Sequence, residues 1–271
     1  MNHSFLHNGF LIDYKVFGSG KKFMLCFHGM GRSADDFNVF EKKLGKQYTF
    51  VSINIFFHGN TKYPEERLFK NQPRKKEFAM LFQTLLQQLG TTRFSLMAYS
   101  LGGRLALSIL EVLPEYIDRI ILIAPDGLSI RPYETFTTHT KLGQMLSKWT
   151  INNPKQIFYT INRLRDMRLI TEKQKKIVLI HMSTHEKRVL MRNAMSSLKF
   201  INPNLRRVTN LINKHQIDIT LIFGKFDFII PAKRGVSFLK NIKGKKQLHV
   251  IETSHNIFSD SAPEKLLDVL D

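Results

Sequence analysis

The stretch that most constrains this chain is Phe94-Ser95-Leu96-Met97-Ala98-Tyr99-Ser100-Leu101-Gly102-Gly103-Arg104-Leu105-Ala106-Leu107. It opens as an apolar run of strand character and closes as a run with helical spacing, and Ala-x-Ser-x-Gly-Gly between them leaves no room for a loop. A strand that becomes a helix within about three residues must bend sharply, and small residues must flank the bend so that strand and helix do not collide. The side chain at the apex, Ser100, is then pushed out at the carboxyl end of the strand. The first N–H groups of the following helix point into the same space. Such a place suits attack on a carbonyl and stabilisation of the oxyanion that results.

On either side of this stretch, strands and helices alternate. Asn8-Gly9 separates Ser4–His7 from Phe10–Phe17 and predicts a tight hairpin. Phe23–Phe27 is a continuous apolar run of the kind buried on both faces of a parallel sheet. It leads straight into His28-Gly29-Met30-Gly31, whose glycines permit a tight turn with a backbone N–H facing outward. Further strands are expected at Thr49–Ile55, Ile120–Ala124, Ile217–Phe223 and Gln247–Ile251, and an amphipathic helix runs from Pro73 to Leu89 and stops at Gly90. Between Asp126 and His215 the texture is helical throughout. The pattern predicts a mostly parallel, doubly wound α/β sheet formed by residues 1–125 and 216–271, interrupted by an all-helical insertion over 126–215.

Four positions, taken in order, resemble the α/β-hydrolase fold superfamily. They are His28-Gly29-Met30-Gly31 after an early strand, Ser100 at the bend, Asp227 after a late strand and His255 after the last one. The order serine, acid, histidine is that of the family. The resemblance implies a serine hydrolase that cleaves a carboxylic ester or thioester through an acyl-enzyme. Ser100 would be the nucleophile, His255 the base and Asp227 its orienting carboxylate, with the Met30 and Leu101 amides holding the oxyanion. Asp126 competes with Asp227, because some members of the superfamily place the acid after the sixth strand. The segment 126–215 corresponds to the family's helical cap, and no metal or cofactor is implied. His28, Tyr99, Trp149 and Phe228 are candidates for lining the pocket, although His28 and His58 more often organise loops in this family. Ala98 stands where many members have glycine, and Ser254 rather than glycine precedes His255. A carbon–carbon bond hydrolase of the meta-cleavage type resembles this pattern too, and a non-catalytic ligand-binding protein on the same scaffold is the alternative from another class.

Composition narrows the partners. Forty-one Lys and Arg against 22 Asp and Glu give a net charge of +19, and residues 126–215 hold 17 of the basic residues but only five acidic ones. A positive surface there fits an anionic or acyl-carrier-linked substrate, an acidic protein partner or an acidic membrane surface. No nucleic-acid recognition motif accompanies it, so nucleic acid is not an expected partner. The single cysteine, Cys26, reads as a small buried hydrophobe. With no leader-like start or long apolar run, this favours a cytoplasmic location.

Overall fold

The computed structural model describes residues 2–129, 132–258 and 262–270. Its centre is an eight-stranded sheet of β1 (Asn2–His7), β2 (Phe10–Phe17), β3 (Lys22–Phe27), β4 (Tyr48–Ile53), β5 (Phe94–Tyr99), β6 (Ile117–Ile123), β7 (Asp218–Gly224) and β8 (Lys246–Ile251). The strand order is β1-β2-β4-β3-β5-β6-β7-β8. β1 and β2 are antiparallel to their neighbours, whereas β3 to β8 pair in parallel. The hairpin turns at Asn8 and Gly9, both with positive φ, as the Asn-Gly pair predicts.

Eleven α-helices occur among the described residues. α1 (Glu41–Leu44), α2 (Lys75–Gln88) and α3 (Leu101–Val112) precede β6. α4 (Pro132–His139), α5 (Lys141–Asn152), α6 (Pro154–Asp166), α7 (Glu172–Met182), α8 (His185–Ser197) and α9 (Leu205–His215) lie between β6 and β7. α10 (Lys233–Leu239) and α11 (Ala262–Asp268) complete the chain. None is long and apolar enough to cross a membrane.

The central strands are apolar on both faces because both faces are covered. On β3, Met24 and Cys26 share a buried cluster with Phe37, Phe40 and Leu266. Phe27, on the opposite face, packs edge-on against Phe82 of α2. The pleat sends alternate side chains to opposite sides, so an uninterrupted apolar run is what two covered faces require.

The chain leaves β3 for β4 on one side and then crosses back to β5 on the other. The strand order therefore reverses between β3 and β5, opening a crevice at their carboxyl ends. The His28–Gly31 turn follows β3, and Ser100 follows β5. Topology alone thus brings the two most distinctive turns of the sequence together.

The residues form two compact units. One comprises Met1–Glu65, Pro73–Ser129 and Phe200–Asp271; the other comprises Glu66–Gln72 and Ile130–Lys199. The helical insertion expected over 126–215 is thus divided differently. α9 belongs to the sheet-containing unit, where it packs on α3 and buries Val208 and Ile212. The Asn204 N–H just before it donates to the buried Glu111 carboxylate at 2.8 Å, and Lys75 holds the same carboxylate. Helical periodicity gives a segment's secondary structure but not the body it packs against. The short segment 66–72 joins the second unit, where Phe69 lies 4.1 Å beneath the Arg192 guanidinium.

Gly102 makes the strand-to-helix bend possible. A Cβ there would lie 2.0 Å from the Phe27 carbonyl oxygen, a backbone atom that can yield only if β3 moves. Gly102→Ala is expected to lower unfolding free energy by about 3 kcal/mol, read from the urea midpoint at unchanged m-value.

Candidate active site

β5 ends at Tyr99 and α3 begins at Leu101, so Ser100 alone makes the turn. Its backbone sits at φ 48, ψ −117, a conformation that costs a non-glycine residue about 1–3 kcal/mol. Three backbone hydrogen bonds hold it there. The Ser100 N–H donates to Ile123 O at 3.0 Å, and its carbonyl accepts from Gly103 N–H at 2.9 Å and Asp126 N–H at 2.8 Å. Strain at this residue is therefore sustained by β6, its following loop and the first turn of α3.

His255 lies beyond β8, and its Nε2 is 3.0 Å from Ser100 Oγ. Its Nδ1 is 2.7 Å from Asp227 Oδ2. The other carboxylate oxygen of Asp227 accepts the N–H groups of Ile229 and Ile230 at 2.8 and 2.9 Å. Asp227 is buried, and every oxygen has a donor. An ionised carboxylate needs a proton on the nitrogen facing it, so Nδ1–H donates and Nε2 keeps its lone pair toward the serine.

Asp126, the rival carboxylate, is engaged elsewhere. It forms a buried pair with Arg104 on α3, with Nε at 3.1 Å and both side chains 4% exposed. His255 faces Asp227 instead.

The turn after β3 is held by two imidazoles. His28 Nδ1–H donates to Gly29 O at 2.7 Å and its Nε2 accepts the Ile55 N–H at 3.2 Å. His58 Nδ1–H donates to Phe56 O at 2.9 Å, and its Nε2 accepts the Gly31 N–H at 2.9 Å. Both rings accept an N–H and so must be neutral. Burial depresses the basicity of each and lowers His28 to about 3, helped by the neighbouring His58 and then Arg32. Between these anchors, Met30 is framed by Gly29, whose carbonyl also accepts from Arg32 N–H, and by Gly31. Beneath the turn, Asp13 Oδ2 accepts from Asn54 and from the Asn60 N–H, and Asn54 Oδ1 accepts from the Ala34 N–H. Gly59, at φ +54, sits so close to this cluster that a Cβ would fall 2.7 Å from Asp13 Oδ2.

Two expectations about the pocket require correction. His28 is completely buried and Tyr99 is 3% exposed, so neither lines an open surface. Tyr99 instead donates its hydroxyl to the His255 carbonyl at 2.7 Å, and its ring lies tilted beside the imidazole, with centroids 5.5 Å apart. Burial pushes the Tyr99 phenol well above its ordinary range, so it stays a donor. Phe228 is 40% exposed beside Asp227, and Trp149 is exposed on α5. Sequence reading also missed Arg32. It forms a two-pronged pair with Asp36 and donates to Asn256 at 3.2 Å, linking the turn after β3 to the loop that carries His255. The i,i+4 spacing of Arg32 and Asp36 was the available signal.

A model of the α/β-hydrolase fold family matches residues 22–262. The chain belongs to that family. It is 25% identical over 254 residues to putative esterase/lipase 2 of Mycoplasma genitalium, a match spanning 92% of this chain and 87% of that one. The Mycoplasma pneumoniae protein of the same name is 24% identical over 220 residues, covering 79% of this chain and 75% of its own. Among solved structures, a thermophilic esterase from Thermogutta terrifontis superposes with a TM-score of 0.68 at 16% identity, covering all of this chain and 96% of the esterase. MGS-M2, an α/β-hydrolase enzyme from a deep-sea metagenome library, gives 0.70 at 15% identity, covering 98% of this chain and 95% of its own. At those identities the structures establish a shared fold.

Buried neutral histidines make stability depend on pH. In the unfolded chain His28 binds a proton below about 6.5, whereas in the folded protein it resists protonation down to about 3. Its contribution is fully present above pH 6.5 and falls away as pH drops toward 3. Unfolding free energy measured with urea should decline across that window, and His28→Asn should flatten the decline.

Proposed function

We propose that this α/β hydrolase cleaves carboxylic esters or thioesters through an acyl-enzyme formed on Ser100. The observation that carries the reading is the unbroken chain of contacts from Ser100 Oγ through His255 to the buried Asp227 carboxylate. A serine hydroxyl is a weak nucleophile near neutral pH, so its proton must leave as it attacks. His255 Nε2 accepts that proton while Oγ bonds to the acyl carbon. The carbonyl oxygen becomes an oxyanion, and Asp227 stabilises the imidazolium across Nδ1 without taking its proton.

The Leu101 and Met30 amides are the proposed oxyanion donors. Leu101 opens α3, so its N–H has no acceptor within the helix, and the helix dipole favours negative charge there. Met30 is carried by the turn that His28 and His58 pin. In the second half of the step, His255 passes its proton to the departing alkoxide or thiolate, and the alcohol or thiol leaves. Water then attacks the acyl carbon, giving its proton to His255 Nε2. Collapse of the second tetrahedral species breaks the bond to Oγ, returns the proton to Ser100 and frees the carboxylic acid.

The esterase/lipase names of the Mycoplasma relatives support the ester arm of this reading. An anionic or carrier-linked acyl donor is the natural substrate class for so basic a chain, by charge complementarity. Its rate should then fall with added salt more steeply than that of a neutral ester.

Steady-state hydrolysis of a short p-nitrophenyl ester tests the proposal. Ser100→Ala should abolish turnover, and Asp227→Asn should cut kcat by about 10⁴ with intact structure. His58→Ala should lower kcat by about 10-fold or more at nearly constant KM, because the oxyanion contact matters only in the transition state. His58→Gln, which can still accept the Gly31 N–H, should recover part of the loss. Wild-type turnover that survives Ser100→Ala would contradict the mechanism.

A further inference from the structure

Helix α5 carries its apolar stripe on the wrong side for a helix that only supports a core. Leu142, Met145, Leu146 and Trp149 recur at i, i+3, i+4 and i+7 and so share one face. They are 54, 61, 42 and 46% exposed. The side of α5 that packs is another one, where Gly143 and Ile151 are buried against α4 and α8. Arg188 of α8 donates to the Ile151 carbonyl at 2.9 Å, and Thr140 caps the helix through the Gly143 N–H. The helix is therefore anchored without its stripe. Ordinarily the apolar stripe of a surface helix faces the core, and a contiguous exposed one marks a contact surface. Phe136 on the adjoining α4 is exposed as well.

Charge selects the occupant. From Thr135 to Arg165 there is no acidic residue, against five Lys and Arg. Lys141 and Lys148 of α5 are exposed and lie about one quarter-turn from the stripe on the helical wheel. Leu and Met beside Trp on one face, with lysines along the margin, is the chemistry of a helix lying in a bilayer interface. The aromatic ring sits at headgroup level and the ammonium groups snorkel to lipid phosphates. We propose that the exposed face of α5 docks the protein reversibly onto an anionic phospholipid surface. Apolar burial anchors the helix, and each lysine adds attraction that salt screens.

Trp149 is the chain's single tryptophan, so its emission reports on this face alone. The full-length protein is titrated with vesicles of phosphatidylcholine, with and without phosphatidylglycerol, and co-flotation is scored in parallel. A blue shift and co-flotation with the phosphatidylglycerol vesicles are expected, both weakening as salt rises. Leu142→Ser with Met145→Ser should reduce partitioning about tenfold or more, with helical circular dichroism unchanged since both positions are exposed. Lys141→Gln with Lys148→Gln should remove the preference for phosphatidylglycerol. Ser100→Ala should bind vesicles like the wild type, which separates docking from turnover. Absence of any shift or flotation at low salt would overturn the proposal, as would binding undiminished in the Leu142/Met145 double variant. A lipid-independent blue shift that tracks protein concentration would also overturn it, assigning the stripe to a second copy of the chain.

Discussion

Everything at the candidate site rests on one strained residue. With φ at 48, Ser100 occupies a region that L-residues avoid, and Ile123 of β6, Asp126 in the following loop and Gly103 of α3 hold it there through three backbone hydrogen bonds. A relaxed backbone would let the chain leave β5 in an extended loop, carrying the hydroxyl away from His255. The bend also forces α3 to start immediately, so a helix N–H without an acceptor inside the helix lies next to Ser100. Gly102 is the steric condition for this arrangement, because α3 passes the end of β3 too closely for a side chain at that point.

Around the bend, three loops from distant parts of the sequence are tied by single hydrogen bonds in addition to the packing of Ile257 and Phe258. Tyr99 reaches the His255 carbonyl, Arg32 reaches Asn256, and His58 reaches the Gly31 N–H. Hydrogen bonds are directional, so they fix atoms to within tenths of an ångström where apolar contacts would allow sliding. Two of these ties use groups that burial keeps in one protonation state, the neutral His58 and the protonated Tyr99 hydroxyl. The site is thereby held by residues whose roles do not change as His255 gains and loses its proton.

Much of this was legible in the residues. Asn8-Gly9, the apolar runs of β3 and β5, and the Ser100 bend announced the sheet, and the reversal of strand order explains why His28–Gly31 and Ser100 meet. Asp227 and His255 became candidates through the family resemblance, by their places after late strands. Less accessible were contacts that depend on packing depth. Whether Tyr99 lines a pocket or clamps a loop is decided by a hydroxyl direction that no periodicity encodes. Asp126 sits as close in sequence to a strand end as Asp227 does, but a buried arginine one helical turn beyond Ser100 claims it. The helical texture of 126–215 likewise concealed that α9 packs against α3 and that α5 turns its apolar face outward.

The central claim is that Ser100 is made nucleophilic by His255. The most direct test is intact-protein mass spectrometry after brief exposure to a fluorophosphonate, with the adduct mapped by peptide sequencing and its rate compared between the wild type and His255→Ala. One phosphonyl group per chain is expected, on Ser100. The rate should collapse in His255→Ala. An unlabelled protein, an adduct on another residue, or a rate indifferent to the loss of His255 would contradict the account.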